Sequence, residues 1–163
     1  MKALEVHVRK AARADIERIV EIERSWDHLS HWSTDSYYRL ISEDEFASGY
    51  VAEIENEFGL PSIVGFVIFH VAAEVAEIYN IAVERWHARS SVGKHLMIAA
   101  LDASCRRSAQ RIVLEVRKSN ESAIAFYRTF DFRITGERKN YYSNPVEDAY
   151  VMERPIGSGA LSF

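Results

Sequence analysis

Of its 163 residues the chain gives one to cysteine, three to proline and seven to glycine. A single cysteine, Cys105, permits no disulfide within the chain, as suits a reducing compartment. It falls in an apolar, helix-periodic segment and reads as a small buried hydrophobe. The six histidines and the lone cysteine show no metal-ligand spacing, so no metal is expected. Low proline and glycine leave no linker, and there is no repeat or low-complexity tract. No run is apolar over the ~20 residues that cross a bilayer. The N-terminal "MKALEVHVRKAARADIE" turns charged within a few residues, unlike a secretory leader. With 20 basic and 24 acidic residues, a net charge of −4, the chain also lacks the basic footprint of a nucleic-acid binder. These absences point to a cytoplasmic protein with no direct nucleic-acid partner and no membrane partner.

What is present is a core-forming composition, 48% hydrophobic and 27% charged. "LEVHVR" alternates and reads as a strand over Leu4–Arg9. "ARADIERIVEIERSW" follows as an amphipathic helix from about Ala12 to Ser25, with Ile16, Ile19, Val20 and Ile22 to Glu23 on its stripe. Ser33 caps a second helix from Thr34 to about Ile41. "GYVAEIE" and "SIVGFVIFHVA" flank the turn "NEFGLP" as a hairpin, and "AEIYNIAVE" is another strand. "SVGKHLMIAALDASCRR" is a helix with Val92, Leu96, Ala99, Ala100 and Ala103 on one face. "RIVLEVR" is a strand with Ile112, Leu114 and Val116 opposite Val113 and Glu115. Asn120 caps the helix "NESAIAFYRTF", and "DFRITGERK" and "DAYVMER" close the chain as two strands. The order predicts an α/β (α+β) domain around one central sheet. Residues 1–155 are expected to form one domain, with 156–163 a short C-terminal tail; "PIGSGALSF", Pro155 to Phe163, has the small residues of a frayed terminus.

The stretch "NIAVERWHARSSVGKHL" runs from a strand through a small-residue turn into a helix. Helix N-termini carry unpaired N–H groups and partial positive charge, and small residues let a diphosphate approach them. Arg89 and Lys94 add cationic donors. Read alone, the stretch is first a plain connection with Ser90 or Ser91 as N-cap. It has neither the lysine-and-serine ending of a P-loop nor a GxGxxG fingerprint.

Together with "LEVRKSN", "SAIAFY", "KNYY", "EDAYVM" and "HWS", this stretch resembles the GNAT family of acetyl-CoA-dependent N-acetyltransferases, over roughly Val8 to Met152. Within that family it is most similar to the bacterial ribosomal-protein-alanine N-acetyltransferases. The resemblance implies a mixed, mostly antiparallel sheet that splays open in its middle, flanked by about four helices, with acetyl-CoA in the opening. The backbone of Ile81, Ala82 and Val83 would pair with the pantetheine arm. The loop from Arg89 through Ser91, Val92 and Gly93 to Lys94 would hold the pyrophosphate. The acceptor implied is an amine, above all the N-terminal α-amine of a protein such as a small-subunit ribosomal protein, with small amines as the alternative.

The chain departs from the family pattern in three places. Ala88 stands in the usual Gln/Arg position of the loop, and Ser91 in its first glycine position. Asp131 replaces a glycine after the fourth helix. Ser91 tolerates ordinary helix-start geometry and can still offer its N–H; a position that requires left-handed geometry would penalise it, and its side chain would then crowd the phosphate and weaken CoA binding. Asp131 tolerates left-handed geometry at small cost. Ala88 and Ser91 also motivate the non-enzymatic alternative, a fold relative that binds without turnover.

By the resemblance, Glu115 is the general base, acting through water, and Tyr127 the general acid toward the CoA sulfur. Residue by residue the plainer readings are an exposed Glu115 paired with Arg117 or Arg133, and a Tyr127 that only packs. Asn120 would bond the pantetheine amide, cap its helix, or do both. Tyr141 and Tyr142, in the connection between the last two strands, and Trp32 with His31 are candidates for the walls of an acceptor groove. Their alternative is structural aromatic packing. His87 reads as surface. Arg106, Arg107 and Arg111 read first as a solvated helix end, with a 3′-phosphate contact as the other possibility.

Overall fold

The computed structural model describes residues 5–157. Seven strands follow in chain order: β1 (His7–Lys10), β2 (Ala47–Glu55), β3 (Pro61–Ala72), β4 (Val75–Val83), β5 (Arg111–Arg117), β6 (Arg133–Ser143) and β7 (Val146–Pro155). Four helices, α1 (Ile16–Arg24), α2 (Thr34–Ser42), α3 (Val92–Arg106) and α4 (Glu121–Arg128), lie between them in the expected order. The strands form one mixed sheet, β1-β2-β3-β4-β5-β7-β6, in which only β4 and β5 run parallel. Among the described residues no helix is long and apolar enough to cross a membrane.

The sheet is apolar on both faces. On one, Val67, Phe69, Ala76, Ile78, Ile112 and Leu114 pack under Leu96, Met97, Ala100 and Leu101 of α3. On the other, Val51, Phe66, Ile68 and Ala82 meet Ile16, Ile19, Ile22 and Tyr37 of α1 and α2. The buried face of α3 sits slightly off the expected one: Met97, Leu101 and Ser104 join it, while Ala99 is only half-buried. Cys105 is also half-buried, packed at the edge of that core.

Several boundaries differ from the sequence reading. Strand β1 starts at His7, and Leu4 lies outside the described residues. The first helix begins as a separate 3-10 turn over Arg13–Asp15, because the Asp15 carboxylate reaches back to Arg9 at 2.7 Å and to the Ala12 N–H at 2.8 Å. The last hairpin is longer than expected. Tyr141 and Tyr142 lie inside β6, not in a connection, and the turn is reduced to Asn144 and Pro145. An irregularity in β6 between Arg138 and Tyr142 absorbs the extra length, with Asn140 at φ +50 and its N–H donating to Asp148 at 2.9 Å. The start of the supposed frayed tail is docked: Pro155 ends β7, and the buried Ile156 donates its N–H to the Gln110 carbonyl at 2.7 Å. Residues 158–163 lie outside the described residues.

The feature that positions everything else is a short pairing. Strands β4 and β5 pair only from Val75↔Arg111 to Ile78↔Leu114. Beyond that point β4 stays with β3 as far as Val83↔Gly65, and β5 stays with β7 as far as Arg117↔Ala149. A wedge opens between them. Its origin is a bulge: Ile78 pairs with Phe69 and Asn80 with Ile68, so Tyr79 has no partner of its own. A bulge bends its strand and resets which face later residues occupy. Thus Ile78 joins the α3-side core while Ala82 joins the α1–α2 side.

Gly65, paired with Ala52 and Val83 where the wedge is widest, is pressed under α3. A Cβ there would lie 3.0 Å from the Ala82 carbonyl oxygen and 3.0 Å from Leu96 Cδ1. Gly65→Ala is expected to destabilise the protein by about 1–2 kcal/mol through overpacking, read as a lower urea midpoint at unchanged m-value.

Candidate active site

Two cavities fill the wedge. The larger, about 660 Å³, lies between the free edge of β4, the loop before α3 and the inner side of α4. Ile81, Ala82, Val83, Arg89, Ser91, Gly93, Lys94, Asn120 and Tyr127 all line it. Ala88 lines it too, as do Trp26, His28 and Leu29 from the α1–α2 connection. Val92 does not line it. Its side chain is fully buried in the α3 core, so only its backbone is available to the loop.

The loop geometry decides between the two readings of Ser91. Ser91 takes the N-cap position of α3 in a left-handed conformation, φ +67, and makes no side-chain cap. Arg89 is left-handed as well, φ +66. The Ser90 hydroxyl turns back to the His87 carbonyl. The first turn of α3 therefore has no side-chain cap, which leaves its N–H groups for an anion. Gly93 faces Phe126, whose ring atoms would be 3.4 Å from a Cβ, so a larger side chain would intrude on the cavity. At the far end of this 15-residue helix, some 22 Å away, Arg106 pairs with Asp102, and Arg107 holds Ser48 and the Glu45 carbonyl. Arg111 pairs with Glu153. All three lie away from the cavity lining, as does His87 beside Glu84.

The second cavity is narrow, about 60 Å³, and is lined by Tyr79, Asn80, Glu115, Arg117 and Tyr142. It shares Ile81, Asn120, Ala123, Tyr127, His28 and Leu29 with the first, so the two meet at α4. Asn120 caps α4, accepting from the Ala123 N–H at 3.2 Å, and its amide N–H groups have no hydrogen-bond partner among the described residues. The Tyr127 ring is buried among core residues, and burial holds its phenol well above the usual range. Its hydroxyl has no hydrogen-bond partner among the described residues. Asp131, after α4, is left-handed at φ +63, as expected.

Glu115 is 9% exposed, and its partner is neither Arg117 nor Arg133. Arg138 of β6 donates to it from Nε at 2.9 Å. Tyr142 lines the narrow cavity; Tyr141 lines neither cavity and stands half-exposed, edge-on to Tyr142 at 5.0 Å. The Trp32 ring reaches neither cavity. It packs on Tyr79 at 5.5 Å and on Tyr37 at 5.7 Å, one ring back from the lining. His31 stays outside, against the Trp26 carbonyl at 3.0 Å.

Two buried charged residues to which the sequence reading gave no place among the site residues hold these walls. Arg117 reaches the carbonyls of His28, Asn144 and Pro145 at 3.0–3.1 Å and the Glu147 carboxylate at 3.2 Å, with its guanidinium 4.2 Å above the Tyr142 ring. It ties the α1–α2 connection to the β6–β7 turn. Glu23, fully buried in α1, accepts from the Tyr37 hydroxyl at 2.6 Å, Asn80 at 2.7 Å and the Trp32 N–H at 3.1 Å. Burial raises its carboxyl above the usual range, and these donors oppose the shift. The signals were there: a charge on the apolar stripe of α1, and an arginine ending a buried strand. Among the described residues no group of three or more His, Cys, Asp or Glu is placed to hold a metal ion.

Comparison with known proteins agrees with this geometry. The profile of the Acetyltransferase (GNAT) family matches residues 14–132. A putative ribosomal protein bS18-alanine N-acetyltransferase of Bacillus subtilis is 33% identical over 145 residues, covering 89% of this chain and 92% of that protein. The ribosomal protein bS18-alanine N-acetyltransferase of Escherichia coli is 35% identical over 96 residues, 58% of this chain and 65% of that one. The crystal structure of the Escherichia coli ribosomal-protein-S18-alanine N-acetyltransferase superposes with a TM-score of 0.80 at 26% identity, covering 98% of this chain and 100% of that one.

The strain at Ser91 is testable. A left-handed non-glycine residue costs roughly 1–2 kcal/mol, partly offset by the greater freedom of glycine when unfolded. Ser91→Gly should raise the unfolding free energy by up to about 1 kcal/mol, measured by urea titration, and should not weaken acetyl-CoA binding.

Proposed function

The chain belongs to the GNAT family of acetyl-CoA-dependent N-acetyltransferases, and from that premise we propose that its acceptor is the N-terminal α-amine of a protein. A small-subunit ribosomal protein is the favoured acceptor, and the cytoplasm, where ribosomes are, the favoured place of action. The observation that carries this reading is the meeting of the two cavities at Tyr127, with Glu115 lining the narrower one. The acceptor in that reading is the one acted on by the ribosomal-protein enzymes to which the chain is similar.

The larger cavity fits acetyl-CoA on three grounds: its volume, the uncapped start of α3 beside Arg89 and Lys94 for phosphate, and the unpaired edge of β4 for the pantetheine amides. Acetyl-CoA supplies an acyl carbon activated as a thioester. An α-amine, with an ordinary pKa near ~7.7–8.0, needs only a modest base to be neutral near pH 7. Its nitrogen attacks the carbonyl carbon, and its proton passes through water to Glu115. The carbon–sulfur bond then breaks. The departing thiolate takes the Tyr127 proton, giving the acetylated amine and the free thiol. Burial keeps Tyr127 protonated until that moment.

Purified protein with acetyl-CoA and a peptide beginning with alanine should yield peptide acetylated on the α-amine, detected by mass spectrometry. Glu115→Gln should lower kcat by about a hundredfold or more with acetyl-CoA affinity nearly unchanged, and Tyr127→Phe should lower it similarly. Unchanged turnover in either variant removes that residue from the mechanism. Acetyl-CoA itself should stabilise the fold by about 2.7 kcal/mol at a hundred times its Kd, seen as a saturable rise in Tm.

A further inference from the structure

At the junction of the two cavities stands a titratable side chain that the transfer does not use. His28, in the α1–α2 connection, lines both cavities together with Asn120 and Tyr127. It is half-buried, and its backbone carbonyl is turned into the wall, where Arg117 Nε holds it at 3.0 Å. Its ring packs at 5.3 Å on Trp26, which lines the larger cavity. Neither ring nitrogen has a hydrogen bond or an ion pair among the described residues. An imidazole so placed can exchange a proton only with solvent or with a molecule in the cavities.

The charges around the ring favour its neutral form. Burial holds its pKa below the usual range, and the guanidiniums of Arg117 on β5 and Arg85 after β4 press it lower. Asp27, its exposed neighbour in the chain, opposes them. In the narrow cavity the other titratable groups are Glu115, which Arg138 holds, and the phenols of Tyr127 and Tyr142, which burial keeps protonated. Arg89 and Lys94 stand at the α3 end of the larger one. With an ordinary value of about 6.5 as its upper bound, the ring offers an unprotonated nitrogen at neutral pH.

Counting protons gives that nitrogen a task. An α-amine with an ordinary pKa near ~7.7–8.0 arrives at neutral pH chiefly as ammonium, and it must lose two protons to become an amide. One of them ends on the thiol: it passes through water to Glu115 and restores the Tyr127 that protonated the sulfur. The other must leave before attack, because an ammonium nitrogen has no lone pair. Resting on the reading that Glu115 and Tyr127 carry the transfer, we propose that His28 takes this first proton from the bound ammonium. The N–H bond breaks, its electron pair stays on nitrogen for the attack, and the proton passes from the imidazole to solvent.

The test is the pH profile of kcat/KM for wild type and His28→Gln, with an alanine-initiated peptide and with phenethylamine as acceptors. Arg117 holds the backbone of residue 28 and not its ring, so the substitution keeps that anchor. Wild type should use the ammonium form, and its rate should fall only where His28 itself becomes protonated. His28→Gln must wait for the neutral amine, so its acid limb should move up to the amine's own pKa. With the peptide, wild type should exceed it by about tenfold or more near pH 6.5, and the ratio should shrink as the pH rises past about 8. A merely structural loss lowers all points together and leaves the limb in place. Parallel profiles for the two proteins therefore overturn the assignment and leave the acceptor reading standing. A displaced limb with phenethylamine and no turnover of the peptide upholds His28 and overturns the protein N-terminus as acceptor. No turnover of either acceptor overturns both.

Discussion

The parallel contact between β4 and β5 stops after four residue pairs, and the rest of the molecule is arranged around that stop. Unpaired backbone groups in a sheet interior are costly, so two strands that could continue to pair normally do. Here each is held from its outer side, β4 by β3 and β5 by β7, while the bulge at Tyr79 turns β4 away. Part of the exposed edge is satisfied from outside the sheet: the Trp26 indole donates to the Val83 carbonyl at 2.8 Å in the wall of the larger cavity. The wedge is thus a place where the fold gives up sheet hydrogen bonds and gains room for another molecule's.

Keeping a wedge open requires rigid sides, and two buried charges supply them. Arg117 finds three carbonyls and a carboxylate; Glu23 finds three donors. Satisfied in this way, each fixes several segments at once, which a hydrophobic residue of like size cannot do with the same directionality. Arg117 links the α1–α2 connection to the β6–β7 turn. Glu23 links α1, α2 and the strand just past the bulge. The two sides of the wedge are therefore tied to the strands that carry Asn80 and Glu115.

Much of this was legible in the sequence, and the limits have physical causes. Element order follows from periodicity and caps, and Ser33 and Asn120 each accept the expected backbone N–H. Motif resemblance pointed to the loop before α3 as a cofactor loop because its residues are contiguous, and that loop lines the larger cavity. What periodicity could not reveal is the bulge at Tyr79, which changes the face of Asn80 and Ala82 without changing their apolar or polar character. Nor could it pair Glu115 with Arg138, since that contact depends on a register set through β7. Ser91 was read as an ordinary cap because serine usually is one; the left-handed turn is imposed by the chain's path into α3. Tyr141 and Tyr142 looked like a loop because "NP" follows them, yet β6 continues past both rings.

The central claim is that donor and acceptor occupy two cavities that meet at Tyr127. It is tested most directly by a conjugate in which the sulfur of CoA is joined through an acetyl linker to the α-amine of an alanine-initiated peptide. Its Kd, set against those of CoA and of the free peptide by calorimetry, reads whether both sites can be filled across that junction. If they can, the linked molecule gains the effective concentration of its second half and binds at least about a hundredfold tighter than CoA. A conjugate that binds no more tightly than CoA would mean that the cavities do not form one path, and the account of the wedge as a meeting point of two substrates would be wrong.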